Sequence, residues 1–149
     1  MSKASPKMRH FAKRLTVYEG KANTPSDTGT PPSFLVCEKL RAHLGIFMGT
    51  TGFRELLSCA LPRAKAEIPW LGALQVKEDG SLEGLKELNA KRKPKELFEG
   101  GVVLVAQLLG LLVAFIGETL TLRLVREVWP EVSLDNLDFG NGKEDERAE

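Results

Sequence analysis

Two thiols, two imidazoles and one oddly placed carboxylate are the side chains of this sequence whose types could do chemistry. A cysteine beside a histidine is the pair that makes a thiolate nucleophile, and Cys37 and His43 come nearest to it, six residues apart. On one helix, at 100° per residue, they point about 120° away from each other. The spacing therefore predicts a core thiol and a surface imidazole. Neither His10 nor His43 stands at ligand spacing to the other or to a cysteine, so no metal site is expected. The sequence patterns of zinc hydrolases, redox dithiols, phosphate-binding loops, nucleophile elbows and dinucleotide folds are all missing. No catalytic residue and no cofactor is assigned, and the chain is read as a non-enzyme.

Glu118 is the carboxylate. If one helix runs from Gly101 to Val128, the angle of Glu118 falls between those of Val125 and Trp129, inside an apolar arc. A carboxylate there is costly to bury unpaired and has its pKa raised, so an arginine from another element, Arg41 or Arg54, is its expected partner. The basic residues are the other chemistry-bearing group. Four Lys or Arg fall within Lys91–Lys95, and Lys7, Arg9, Lys13 and Arg14 line one side of a segment whose other side carries Met8, Phe11, Leu15 and Tyr18. Such segments suit anionic ligands or lipid surfaces. The 91–95 run reads first as a solvated turn, and the 7–18 segment, marginal alone at that length, as packed on the body or frayed; without interleaved aromatics or a recognition-helix pattern, nucleic acid is not the expected partner.

What positions these residues is an apolar run, Gly101–Gly117, of seventeen residues without a charge. It continues without a proline to Pro130. Ala106, Gln107, Gly110, Ala114, Gly117, Glu118 and Thr121 fall in one arc, small and weakly polar, with Ala106, Gly110 and Ala114 at the spacing that lets helix backbones approach. The opposite side is aliphatic as far as Ile116, then carries Thr119, Arg123, Arg126 and Glu127. A run of this length lies between a buried core helix and a membrane span. The mean hydropathy of −0.15 and the other amphipathic segments favour the core helix. In that reading Gly110 marks where another helix packs tightest.

Those segments are a first helix over Lys7–Tyr18, a proline-rich linker over 20–33, a helix capped by Ser33 through Met48 with Phe34, Cys37, Leu40, Leu44 and Phe47 inward, and a stop at Gly49. A second helix follows from Thr51, with Phe53, Leu56, Leu57, Ala60, Leu61 and Ala64 at strict helical spacing. Pro62 is expected to end or kink it near Ala60. Ile68–Leu71 form an apolar corner. Residues 73–83 hold at most one short strand or hairpin around the Asp79-Gly80 turn, Leu82–Lys91 a short helix, and Pro94 the first turn of the apolar helix.

The fold class is therefore all-α, a compact helical bundle around a long apolar central helix at about 101–128. With 149 residues, 42% hydrophobic and 28% charged, one domain is expected: a basic segment and linker over 1–33, the bundle over 34–130, and an acidic tail over 131–149. Both cysteines fall on apolar helix faces and read as small buried hydrophobes in a reducing compartment. No apolar stretch follows the basic N-terminus, so no secretory signal is read and a cytoplasmic setting is expected.

The segments CEKLRAHL (37–44), GFRELLS (52–58), VKEDGSLEGLKEL (76–88) and QLLGLLVAFIGETLTLRLVREVWPEV (107–132) resemble a family of small bacterial helical proteins to which no activity is attached. The resemblance spans nearly the whole chain. It implies a bacterial cytosolic protein and assigns no functional residue. The function expected from the residues is a helical protein–protein interaction module that associates with itself as a homo-oligomer. Its contact surface would use the small face (Ala106, Gln107, Gly110, Ala114, Gly117, Glu118) or the amphipathic end (Arg123, Arg126, Trp129). The alternative is a membrane-associated protein that inserts its 101–117 run.

Overall fold

The computed structural model describes residues 6–22 and 32–130. The linker residues 23–31 and the acidic tail 131–149 lie outside them. In chain order the elements are α1 (Pro6–Ala22), α2 (Pro32–Glu67), a 3-10 turn (Pro69–Ala73), β1 (Gln75–Val76), β2 (Leu82–Glu83), α3 (Leu85–Lys91), α4 (Pro94–Ile116) and α5 (Glu118–Val128). The all-α bundle is the observed fold. Its two strands pair antiparallel, Gln75 with Glu83 and Val76 with Leu82, as a small hairpin on the side of the bundle.

The core forms where the apolar stripes of α1, α2 and α4 meet. Phe11 and Leu15 of α1, Phe34, Leu40 and Leu44 of α2, and Leu104, Leu108 and Leu109 of α4 are fully buried. Helix α1 thus belongs to the same core as the rest of the described chain. It runs four residues beyond the Tyr18 end expected from its stripe, into what reads as linker.

Both long helical stretches break at a glycine. Gly49 has φ 84° and ψ 158° inside α2, and Gly117 has φ 91° and ψ 160° between α4 and α5. Side chains rarely adopt such angles, and glycine adopts them freely. The break at Gly49 agrees with the sequence reading. The break at Gly117 corrects it: the expected continuous 101–128 helix is two helices, of 23 and 11 residues. Pro94 lies in the first turn of α4, as expected, which makes α4 about 34 Å long at 1.5 Å per residue.

Pro62 does not stop its helix, which continues to Glu67. Leu61 and Ala64 are buried on either side of it while the proline ring faces solvent, so packing outweighs the lost backbone bond. Ser33 is not a cap either. The helix begins at Pro32, and the Ser33 hydroxyl donates to the Leu97 carbonyl of α4 at 3.2 Å. Cys59, expected on an apolar face, is exposed, and only Cys37 is a buried thiol.

Gly100 and Gly101 are the glycines of α4 that neighbouring side chains crowd. A Cβ on Gly101 would overlap Ser33 Oγ, and one on Gly100 would lie 2.5 Å from the Trp70 ring. By contrast, a Cβ on Gly110 would meet nothing within 4 Å. The tight seam of α4 is thus at its N-terminal third, two and a half turns before the position expected.

Candidate interaction surface

Helix α4 is buried on all sides from Gly100 to Leu109 and emerges in its last two turns. Gly110 is half-buried, Ala114 is exposed and Phe115 is 64% exposed. The first limb of α2 (32–48) does the same. Leu44 is its last fully buried residue, and beyond it Ile46 is 88% and Phe47 48% exposed. Phe47 was expected to face inward; the helix has outrun its neighbours before that turn.

Both ends lie at the same end of the bundle. Ser33 and Gly101 touch, and His43 Nε2 lies 2.8 Å from Glu127 Oε1. Ten residues of α5 carry Glu127 no more than about 15 Å from Gly117. If α2 ran antiparallel to α4, His43 and Gly117 would be about 39 Å apart, too far for that contact. The first limb of α2 and α4 therefore run in the same direction, and the Gly49 and Gly117 corners lie toward the same end of the bundle.

The stretches of α2 and α4 that reach this end carry no formal charge. Between Arg41 and Arg54 the only titratable side chain is His43, and between Glu99 and Glu118 there is none. Around the centre sit charges of both signs: Arg54 and Glu55, 3.5 Å apart, near the first corner, and Glu118 and Arg123 near the second. An apolar centre with a mixed polar rim is the anatomy of a protein–protein contact.

The residues read from the sequence as candidates divide between this surface and the interior. Gly110, Ala114, Gly117 and Glu118 belong to the exposed end, and Arg123 and Arg126 are exposed on α5. Ala106, Gln107 and Trp129 are buried and are removed from any surface. Gln107 Nε2 donates to Glu67 Oε2 at 3.0 Å, and Glu67 also binds the Arg9 guanidinium of α1. Trp129 Nε1 donates to Glu19 Oε2 at 2.6 Å, which is also 2.7 Å from Lys39 Nζ. The buried carboxylates of the bundle are thus Glu19 and Glu67, each held by donors from two other elements.

Glu118 is half-buried in the first turn of α5, where the helix dipole favours an acid. The apolar arc assigned to it depended on a continuous helix, and the break at Gly117 resets the angle. The arginines expected beside it are engaged elsewhere: Arg41 donates to Glu38 and to the Asp79 carbonyl, and Arg54 leans on Glu55.

Of the remaining chemistry-bearing residues, Cys37 and Arg92 are held by their surroundings. Burial, and after it the charge of Glu38, push the Cys37 thiol up to about 12, so it is no nucleophile at neutral pH. In the Lys91–Lys95 run, the Arg92 guanidinium stacks over the Trp70 ring at 5.2 Å and lies 3.8 Å from Glu96. Among the described residues no group of three or more metal-ligating side chains converges.

The sequence reading missed Ile46 and Phe47, and a signal for them exists. Residues 47–51 read FMGTT and residues 115–119 read FIGET, and the register holds at a constant offset: Leu40 with Leu108, Leu44 with Leu112, Leu56 with Leu124, Pro62 with Pro130. Exposure follows the same register through both corners, from Leu44 and Leu112, buried, to Leu57 and Val125, buried, with Thr50 and Glu118 the one pair that differs. Helix α2 and the α4–α5 pair are two versions of one helix–glycine–helix unit.

Known proteins give no further guide. The chain matches no family model, no curated protein and no solved structure.

Proposed function

We propose that this protein is a non-enzymatic helical interaction module that associates with itself, and that the emergent end of α4 around Gly110, Ala114 and Gly117 is part of the contact. The single observation that carries this reading is the exposed, uncharged end of the bundle, where large apolar side chains stand in solvent beside positions with no Cβ or only one. Scattered apolar residues on a surface need no explanation, whereas a contiguous patch marks a contact. Gly110 and Gly117 leave open space around them, which suits the close approach of another surface. Size-exclusion chromatography with light scattering tests the reading. The wild type is expected above monomer mass, and Ala114→Arg, which places a charge in the patch without disturbing the core, is expected to elute as a monomer. A wild-type monomer at every concentration removes the proposal.

A second reading rests on α4, the described helix whose length and apolarity suffice to cross a membrane. Its most apolar window is 61% buried inside the bundle, so insertion would require the core to open. Carbonate-resistant pelleting with membranes would favour it over self-association.

A further inference from the structure

We infer that the occupant of this end is the same end of a second copy of the chain, docked head to head so that each Phe47 corner faces the Phe115 corner of the other copy. The inference rests on the self-association proposed above and adds the missing half of the surface, its register and the charges that select it.

The repeat supplies the missing half. Phe47 and Phe115 occupy equivalent places, each two residues before a glycine with the same backbone angles, and both are exposed. Their helices run side by side, in contact at the equivalent residues Ser33 and Gly101. The end of one chain is therefore itself a pseudo-two-fold surface with two like corners. A contact between two copies of one chain closes most simply about a two-fold axis and uses the same patch on both. Four aromatic corners then meet across one contact, in the offset or edge-on arrangements that aromatic pairs favour.

Charge selects this occupant and this register. The centre offers no cation to an anionic bilayer or polyanion and no anion to a basic partner; its match is another uncharged face. The rims of the two corners are opposite in sign at one equivalent position. Glu55 and Arg123 are repeat equivalents, both exposed, and both leave helices whose N-termini are at the corner, so their Cα–Cβ bonds tilt toward the contact. If like corners met, Glu55 would face Glu55 and Arg123 would face Arg123, which opposes binding. With unlike corners, Glu55 faces Arg123 of the second copy twice over. Arg54 holds Glu55 across 3.5 Å, loosely enough for the carboxylate to turn to another cation.

Sedimentation velocity across a wide concentration range tests the inference, with circular dichroism to confirm that each variant is folded. Arg123→Glu and Phe47→Ser should each raise the dimer dissociation constant by about tenfold or more, and the double reversal Glu55→Arg with Arg123→Glu should return it to within about threefold of wild type. A dimer indifferent to Phe47→Ser and to both charge variants would overturn the head-to-head register while leaving self-association intact. Weakening by Arg123→Glu without rescue by the double reversal would overturn the unlike-corner pairing. A wild-type monomer that floats with phosphatidylserine vesicles would overturn self-association as well and assign the end to a bilayer.

Discussion

Ser33 and Gly101 show how much one missing methyl decides in this protein. The side chain of Ser33 occupies the space that a Cβ on Gly101 would need. Gly101→Ala should therefore destabilise the fold by roughly 1–3 kcal/mol, the cost of overpacking a tight interior, while Gly110→Ala, with open space around it, should be neutral or better. Urea melts of the two variants measure both. Glu19 gives a second contrast. Glu19→Gln keeps an acceptor for Trp129 Nε1, whereas Glu19→Leu leaves that buried donor unpaired, so the leucine variant should be the less stable by about 1–3 kcal/mol. Cys37 gives a pH dependence. Its thiol is raised from 9.0 to about 12 in the folded state, so the native protein holds a proton that the unfolded chain releases above pH 9. The stability this contributes is complete below pH 9 and is lost as pH rises toward 12. Chemical denaturation at pH 8 and pH 11 should show a steeper loss for the wild type than for Cys37→Ala.

At the scale of elements, the amphipathic stripes were legible because burial repeats at the helical period: Phe53, Leu56, Leu57, Ala60 and Ala64 all point inward as their spacing requires. Breaks were legible only where a second signal accompanied the glycine. Gly49 is followed by Thr50, Thr51 and Gly52 and reads as a stop. Gly117 has no second glycine, proline or turn cluster beside it, and nothing of that kind separates it from Gly110, which remains helical. What distinguishes the two is tertiary: α5 must fold back for Trp129 to reach Glu19 and for Glu127 to reach His43. The candidate surface was half legible for the same reason. Its α4 half follows from the small residues, while Ile46 and Phe47 are exposed only because the first limb of α2 outruns its neighbours. If the two corners are equivalent, Gly49→Ala and Gly117→Ala should destabilise by similar amounts, of order 1–3 kcal/mol each, the cost of forcing a side chain into that backbone region. Thermal melts of the singles and the double check this, and a cost confined to Gly117 would contradict the equivalence.

For the whole molecule, the account is of a bundle sealed along its length and left open at one end. Helix α1 closes the side, with Phe11 and Leu15 in the core and with ionic ties from Arg9 to Glu67 and from Lys39 to Glu19. The end at Gly49 and Gly117 has no such cover among the described residues. The central claim is that this end is covered by association. Amide hydrogen exchange at low and high protein concentration tests it most directly. Raising the concentration should slow exchange at residues 45–49 and 113–119 and leave residues 100–109 unchanged; exchange at the two corners that is independent of concentration means that no second copy covers them.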